Sequence, residues 1–175
     1  MAAYYTYLIS SLPMLSFGAR PPFSTEEFLR RCQGLIPDGE IRIMESILKG
    51  NHPVAERPFI LKQWYQFDTS LRNELVKVRA IRKKAEPHRY LRGEDATDVH
   101  LASIATAAIR NPAILEAEKT LDLARWQAIG EFVRGHYFDF EVLVAYALQL
   151  AMLLRWEKIS TQDKTAALEE VTKVA

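Results

Sequence analysis

The residue types that could support catalysis in this chain form one local cluster, made of Asp95, Asp98 and His100. The cluster stands where the spacing of apolar residues predicts that a helix begins. At such a position an aspartate ordinarily accepts hydrogen bonds from the first backbone amides and offsets the helix dipole. We therefore expect Asp98 to cap a helix, and we expect neither a metal site nor a catalytic role for the cluster.

The single cysteine is the other candidate for covalent chemistry. Cys32 follows Arg30 and Arg31, and positively charged neighbours can lower the pKa of a thiol enough to make it a nucleophile. No histidine or acidic partner is recognisable around it, and cysteine is among the most often buried residue types. We expect a core cysteine. One cysteine also excludes an internal disulfide and a cysteine-based metal site.

Signatures of nucleotide and metal binding are missing from the sequence. It contains neither Gly-x-x-x-x-Gly-Lys-Ser/Thr nor Gly-x-Gly-x-x-Gly, the two loops that commonly cradle phosphates. The histidines are scattered, without the spacing of metal ligands on a helix; they are His52, His88, His100 and His136. The sequence predicts no catalytic residue, no cofactor and no metal, and we expect a protein that is not an enzyme.

Charge is distributed unevenly along the chain. Residues 1–93 carry 15 Lys and Arg against 9 Asp and Glu, whereas residues 94–175 carry 8 against 13, and the whole chain has a net charge of +1. The densest basic stretch is 77–92, where Glu86 is the one acidic residue. Such asymmetry favours a charged partner. The expected partner-binding residues are Arg79, Arg82, Lys83, Arg89 and Arg92. A solvated helix face, offset by the acidic half of the chain, stays open as the simpler interpretation.

The composition is that of a soluble globular protein. Of the 175 residues, 49% are hydrophobic and 26% are charged, which excludes a disordered chain, a collagen-like fibre and a disulfide scaffold. The longest apolar run, residues 142–154, is shorter than the roughly 20 residues that cross a membrane. We expect this run to be a buried core helix.

Helical spacing dominates, and we expect an all-α, multi-helix bundle of seven to eight helices in one domain over residues 1–175. The 87–97 loop is the expected place for any sub-boundary, because the sign of the charge changes there. One long amphipathic helix is expected near residues 58–86. Residues 4–9 have strand-forming types, but a lone strand lacks a partner, so we expect a helix.

Capping residues predict where several helices begin. Ser24 and Glu27 form a capping box, with Glu27 able to reach back to the Ser24 amide. Asp38 and Asp98 are expected to cap two further helices. The segment Ser160-Thr161-Gln162-Asp163 is expected to cap a final helix that ends near residue 172.

Short motifs follow one another along the chain in a fixed order. They are Tyr4-Tyr5-x-Tyr7-Leu8-Ile9-x-Ser11-Leu12-Pro13, Pro21-Pro22-Phe23-Ser24, Leu71-Arg72-Asn73-Glu74-Leu75, Arg79-Ala80, Asn111-Pro112, Glu116-Ala117-Glu118-x-x-Leu121-Asp122-x-x-Arg125-Trp126, His136-Tyr137-Phe138-Asp139 and Arg155-Trp156. Together they resemble an uncharacterised bacterial family whose members accompany V/A-type ATPases. The second half is also similar to the C subunit of V-type ATPases, which is called d in eukaryotes. There, a Pro-x-x-x-Glu-x-x-Leu-Asp helix precedes a helix with an acidic cap, and Pro112, Glu116 or Glu118, Leu121-Asp122 and Phe138-Asp139 match this pattern.

The resemblance implies a non-catalytic, central-stalk connector, like the C subunit, between the rotor shaft and the membrane ring of a bacterial V/A-type ATPase. Its implied partners are the shaft and ring subunits, and its implied place is the cytoplasm, peripheral at the inner membrane through protein contacts. The C subunit is longer and repeats its helical unit three times, whereas this chain has room for one or two. The alternative, from the charge pattern alone, is a helical nucleic-acid-binding module that uses residues 77–92 to contact phosphates.

Overall fold

A computed structural model describes residues 5–51, 58–93 and 98–173 of the chain, with side chains up to residue 162. Within these ranges it contains seven α-helices, one short 3₁₀ helix and no strand. The α-helices are α1 (Thr6–Ser11), α2 (Thr25–Cys32), α3 (Asp38–Leu48), α4 (Phe59–Lys83), α5 (Val99–Arg110), α6 (Ile114–Phe132) and α7 (Phe140–Lys173), and the 3₁₀ helix is Pro87–Arg89. The predicted all-α class and the long amphipathic helix are confirmed. Over the described residues of the 4–9 segment, the chain is helical from Thr6.

Two predicted caps are confirmed in atomic detail. The Ser24 hydroxyl accepts a hydrogen bond from the Glu27 amide at 3.2 Å, although the Glu27 carboxylate pairs with Arg31 and does not return to the Ser24 amide. Asp98 accepts from the amides of His100 at 2.8 Å and Leu101 at 3.2 Å. Each cap satisfies amides that have no partner inside the helix.

Two predicted helix starts are wrong. Asp38 does not cap α3, because it is the first helical residue after Pro37 and no side chain caps that end; its negative charge still interacts favourably with the helix dipole. The second error is the break predicted at residues 160–163, where α7 continues without interruption. There the Thr161 hydroxyl donates to the Glu157 carbonyl at 2.8 Å, a bond by which threonine can remain inside a helix.

The chain forms two compact units. The first comprises Met1–Pro58 and Gly135–Ala175, and in it α3 packs against both α2 and α7. The apolar run 142–154 of α7 supplies much of the core, as predicted, and no helix in the described part of the chain is long and apolar enough to cross a membrane. Large apolar side chains that are almost completely buried in this unit include Phe28, Met44, Leu143, Val144, Leu150 and Leu153.

The second unit is Phe59–Arg134, in which α4, α5 and α6 pack pairwise against one another. Ala105 and Ala108 are buried on α5, and such small side chains allow close approach of the neighbouring helices. The shared core consists of Leu71, Leu75, Leu101, Ala105, Ala108 and Leu121. Residues 87–93 lie within this unit, and residues 94–97 of the loop expected to hold a sub-boundary are outside the described residues.

Candidate partner-binding site

The five basic residues predicted to meet a partner are all exposed. We call them the basic surface: Arg79, Arg82 and Lys83 at the end of α4, Arg89 in the 3₁₀ helix, and Arg92 after it. Glu86 lies 4.0 Å from Arg89 with both side chains about 80% exposed, and ion pairs so accessible to water contribute little. Lys77, also within the basic stretch, is different, because it is largely buried and pairs with Glu74 at 2.9 Å.

Arg82 is fixed in place by a contact with the neighbouring helix. Its Nη1 donates to the carbonyl of Ile109 at 3.2 Å, near the end of α5. That carbonyl carries no formal charge, so the guanidinium keeps its net charge. Because arginine has five N–H donors, the contact also leaves donors available to a partner.

Arg92 is held through its backbone. The side-chain amide of Asn73 donates to the Arg92 carbonyl at 2.8 Å and accepts from the Arg92 amide at 3.0 Å. Asn73 is only 4% exposed, so both polar ends of its amide are satisfied by this one residue. The chain that follows α4 is therefore attached, at Arg92, to the middle of that helix.

The structure divides the basic surface between two sides of α4. Asn73 and Arg82 are nine residues apart, which is about two and a half turns at 3.6 residues per turn, so they lie on opposite sides of the helix. The backbone of Arg92 is attached on the Asn73 side. Arg79 and Arg82 instead line a cleft toward α5 and α6. The five residues were grouped because they are close in sequence, but the fold does not place them on one face of the molecule.

The cleft has a volume of about 250 Å³ and lies wholly within the second unit. Its floor is apolar, formed by the buried side chains of Leu75, Ala108 and Leu121. Its other lining residues are Arg79 and Arg82 from α4, Ile109 and Asn111 at the α5–α6 corner, and Ile114, Ala117 and Glu118 from α6. It thus combines an apolar floor with charged walls.

The second unit also contains a buried ionic cluster of Asp68, Asp122 and Arg125, which was not predicted from the sequence. Arg125 donates from Nε to Asp68 at 2.8 Å and from Nη1 to Asp122 at 3.0 Å, and Asp122 is 1% exposed. Burial lowers the pKa of the Arg125 guanidinium, but the two carboxylates outweigh this effect and raise it. Asp68 also accepts from the exposed Arg72 at 2.6 Å. The cluster links α4 to α6 and has a structural role.

The other residues considered for chemistry lie apart from the basic surface. Cys32 is completely buried in α2, and burial raises the pKa of its thiol to about 11. His136 Nδ1 lies 2.6 Å from Asp139, whose other oxygen accepts from the Val142 amide at the start of α7. In the described part of the chain, no three His, Cys, Asp or Glu residues are grouped so that they could hold a metal ion. Asp95 and His52 lie outside the described residues.

Part of the chain matches the model of a known protein family. Residues 99–173 are similar to a family described as a protein of unknown function, DUF2764. The matched region spans α5, α6 and the whole of α7, and it includes the buried Asp122–Arg125 pair and the His136–Asp139 pair. Neither the curated proteins nor the solved structures yield a match to the chain.

Proposed function

We propose that this chain is a non-catalytic subunit of a bacterial V/A-type ATPase, acting as a central-stalk connector between the rotor shaft and the membrane ring. The observation that carries the proposal is the ordered series of motifs that resembles the family accompanying these ATPases. Two of these motifs, residues 71–75 and 116–126, meet in the core of the second unit, where Leu71, Leu75 and Leu121 pack together. The motifs are therefore the residues on which the packing of that unit depends.

The contacts made by the motif residues suit a part that must transmit torque without deforming. Asn73 fixes the segment after α4 through two hydrogen bonds, and Arg125 ties α6 to α4 through Asp68. Buried polar groups that are fully paired restrict a fold to one arrangement. Such a unit works by shape and surface charge, and in this role it needs no cofactor.

The exposed basic surface supports contact with another protein of the complex. Arginine is enriched at protein interfaces, and its planar guanidinium can pair with a carboxylate through two hydrogen bonds. In the proposed assembly the chain is cytoplasmic and reaches the inner membrane only through its partner subunits.

The test is a tagged pull-down from nuclease-treated, detergent-solubilised membranes, with co-purifying proteins identified by mass spectrometry. We expect shaft or ring subunits of the ATPase to co-purify. Reversing the basic surface, with Arg79, Arg82, Lys83, Arg89 and Arg92 each changed to Glu, should reduce their recovery while the chain remains folded. Lys62→Glu, an exposed charge reversal near the other end of α4, is the matched control and should leave recovery unchanged.

The result that would overturn the proposal is recovery of the folded chain without ATPase subunits. Retention of the chain on a DNA or RNA duplex, with affinity that falls steeply as salt rises, would favour the nucleic-acid-binding alternative. If the wild type and the five-residue variant recover ATPase subunits equally, the basic surface does not contact them, and its interpretation as a solvated helix face would hold.

A further inference from the structure

We infer that the cleft lined by Arg79, Arg82 and α6 is a docking site for an acidic protein segment that inserts one apolar side chain into it. The inference rests on the proposed function only for the identity of the partner. It follows from the size, lining and charge of the cleft.

The size of the cleft favours a side chain over a small molecule. Its volume is about 250 Å³, below the roughly 300–1,000 Å³ of typical small-molecule sites. The floor of Leu75, Ala108 and Leu121 offers no charge, so the group it accepts should be apolar. Binding energy at protein interfaces is commonly concentrated in a few side chains that fill well-packed pockets of the partner.

The charges around the cleft favour an acidic partner. Among the described residues, no carboxylate lies within ion-pair distance of Arg79 or Arg82, and Arg82 is held in place by the uncharged Ile109 carbonyl. Lys83 adds a third exposed positive charge next to Arg82. Glu118 is the one acidic residue in the lining, so the cleft has a net positive charge.

An exposed apolar side chain at the rim extends the contact area. Ile114, the first residue of α6, is 77% exposed although it lines the cleft. Burying it would contribute about 25 cal/mol for each Å² of apolar surface removed from water. Arg79 and Arg82 could contact a phosphate backbone as well as a carboxylate, but such a backbone has no apolar group for the floor, and Glu118 repels it. A protein segment fits these features better than a nucleic acid does.

The test places the photo-crosslinking residue p-benzoylphenylalanine at position 114 of the full chain, within the solubilised membrane preparation. The crosslinked segment is then sequenced by mass spectrometry. We expect a segment of another protein that carries acidic residues around an apolar one. The same crosslinker at position 90, where Tyr90 is 62% exposed outside the cleft, is the control and should not capture that segment.

Charge variants make the test specific to the cleft. Arg79→Glu with Arg82→Glu should lower the crosslinked yield about tenfold, equivalent to about 1.4 kcal/mol, and Lys62→Glu should leave it unchanged. Glu118→Lys should raise the yield, because it removes the negative charge that repels an acidic segment. Since these side chains are at least partly exposed, the variants should remain folded, with only a small fall in melting temperature where Arg82→Glu removes the hydrogen bond to the Ile109 carbonyl.

The outcomes separate this inference from the proposed function. A charge-sensitive crosslink to an acidic segment of another protein, with no co-purification of ATPase subunits, would support the docking site and overturn the proposed function. Co-purification of ATPase subunits with no crosslink at position 114, or with a crosslink that ignores the charge reversals, would overturn the docking site alone. A crosslink to nucleic acid or to a basic segment would also overturn it.

Discussion

The side-chain amide of Asn73 donates to the carbonyl of Arg92 and accepts from its amide, at 2.8 Å and 3.0 Å. One buried side chain in the middle of α4 therefore fixes the backbone of a residue 19 positions later. Because the two bonds hold the backbone of Arg92 on one side of α4, they also keep it away from the cleft that Arg79 and Arg82 line on the other side. This contact determines which of the predicted partner-binding residues can act together.

Replacing Asn73 should loosen this segment. We expect Asn73→Ala to lower the free energy of unfolding by about 1–3 kcal/mol, because it leaves a buried backbone donor and acceptor without partners. The loss is measured by urea unfolding, and hydrogen exchange at the Arg92 amide should become faster. Arg89→Ala, at an exposed position of the same segment, should change neither quantity. Unchanged exchange at Arg92 in Asn73→Ala would contradict the assigned role of this side chain.

Two arginines pair with Asp68, and they should contribute very differently to stability. Arg125 is 11% exposed and also pairs with the buried Asp122, whereas Arg72 is 61% exposed. Arg125→Met should cost about 3–5 kcal/mol, because it leaves buried negative charge uncompensated. Arg72→Met should cost less than about 1 kcal/mol, as is typical of exposed pairs. Equal costs in urea unfolding would contradict the structural role of the cluster.

The apolar run of α7 gives a prediction about folding. Leu148 is 5% exposed in the core of the first unit. Leu148→Asp should prevent folding, because burying a carboxylate without a partner costs more free energy than a domain of this size can lose. The measurement is the near-ultraviolet circular dichroism spectrum, which reports fixed packing of the aromatic side chains. Gln149→Asp, at the neighbouring half-buried position, should remain folded. A Leu148→Asp variant with the wild-type spectrum would contradict the core position of this residue.

Local signals predicted the helices well where they depend on a few adjacent residues. Ser24 and Asp98 cap helices as expected because a cap needs only a side-chain oxygen and the amides two or three residues later. The same reasoning failed at Thr161. There the hydroxyl bonds to a carbonyl four residues earlier, so a capping residue type does not end a helix that continues for other reasons. The sequence pattern could not distinguish these two uses of a hydroxyl.

The site was less predictable than the fold, because its contacts join residues far apart in sequence. Asp68 and Arg125 are 57 positions apart, and no spacing rule links them. The opposite placement of Asn73 and Arg82 on α4 could be calculated from helix geometry. The attachment of the Arg92 backbone on the Asn73 side could not be calculated in this way, because it depends on a tertiary contact. The five basic residues are exposed, but their division between two sides of the helix required the structure.

Stability of the first unit should fall at alkaline pH. Burial raises the pKa of Tyr146 from 10.0 to about 12, an effect that the positive charge of Arg31 partly opposes. Between these values the phenol is ionised in the unfolded state and neutral in the folded state, so rising pH favours unfolding. The contribution is fully present below pH 10 and is lost as pH approaches 12. Urea unfolding from mildly to strongly alkaline pH measures the decline.

Tyr146→Phe isolates this contribution. The ring stacks on Phe28 with centroids 5.4 Å apart, and the hydroxyl donates to the Pro13 carbonyl at 3.1 Å. Phenylalanine retains the stack and loses the hydrogen bond, so stability near neutral pH should fall by about 1 kcal/mol. The alkaline decline should become shallower than in the wild type. A variant with the same alkaline slope would show that Tyr146 is not a source of it.

The last prediction concerns the reactivity of Cys32. Its thiol is completely buried and has a pKa raised to about 11 by that burial. At about pH 8 only about one thiol in a thousand would then be ionised, and the thiolate is the reactive form. The folded protein should resist alkylation by iodoacetamide, whereas the urea-unfolded protein should take up one equivalent. Rapid, stoichiometric modification of the folded chain at this pH would contradict the core position and would reopen Cys32 as a nucleophile.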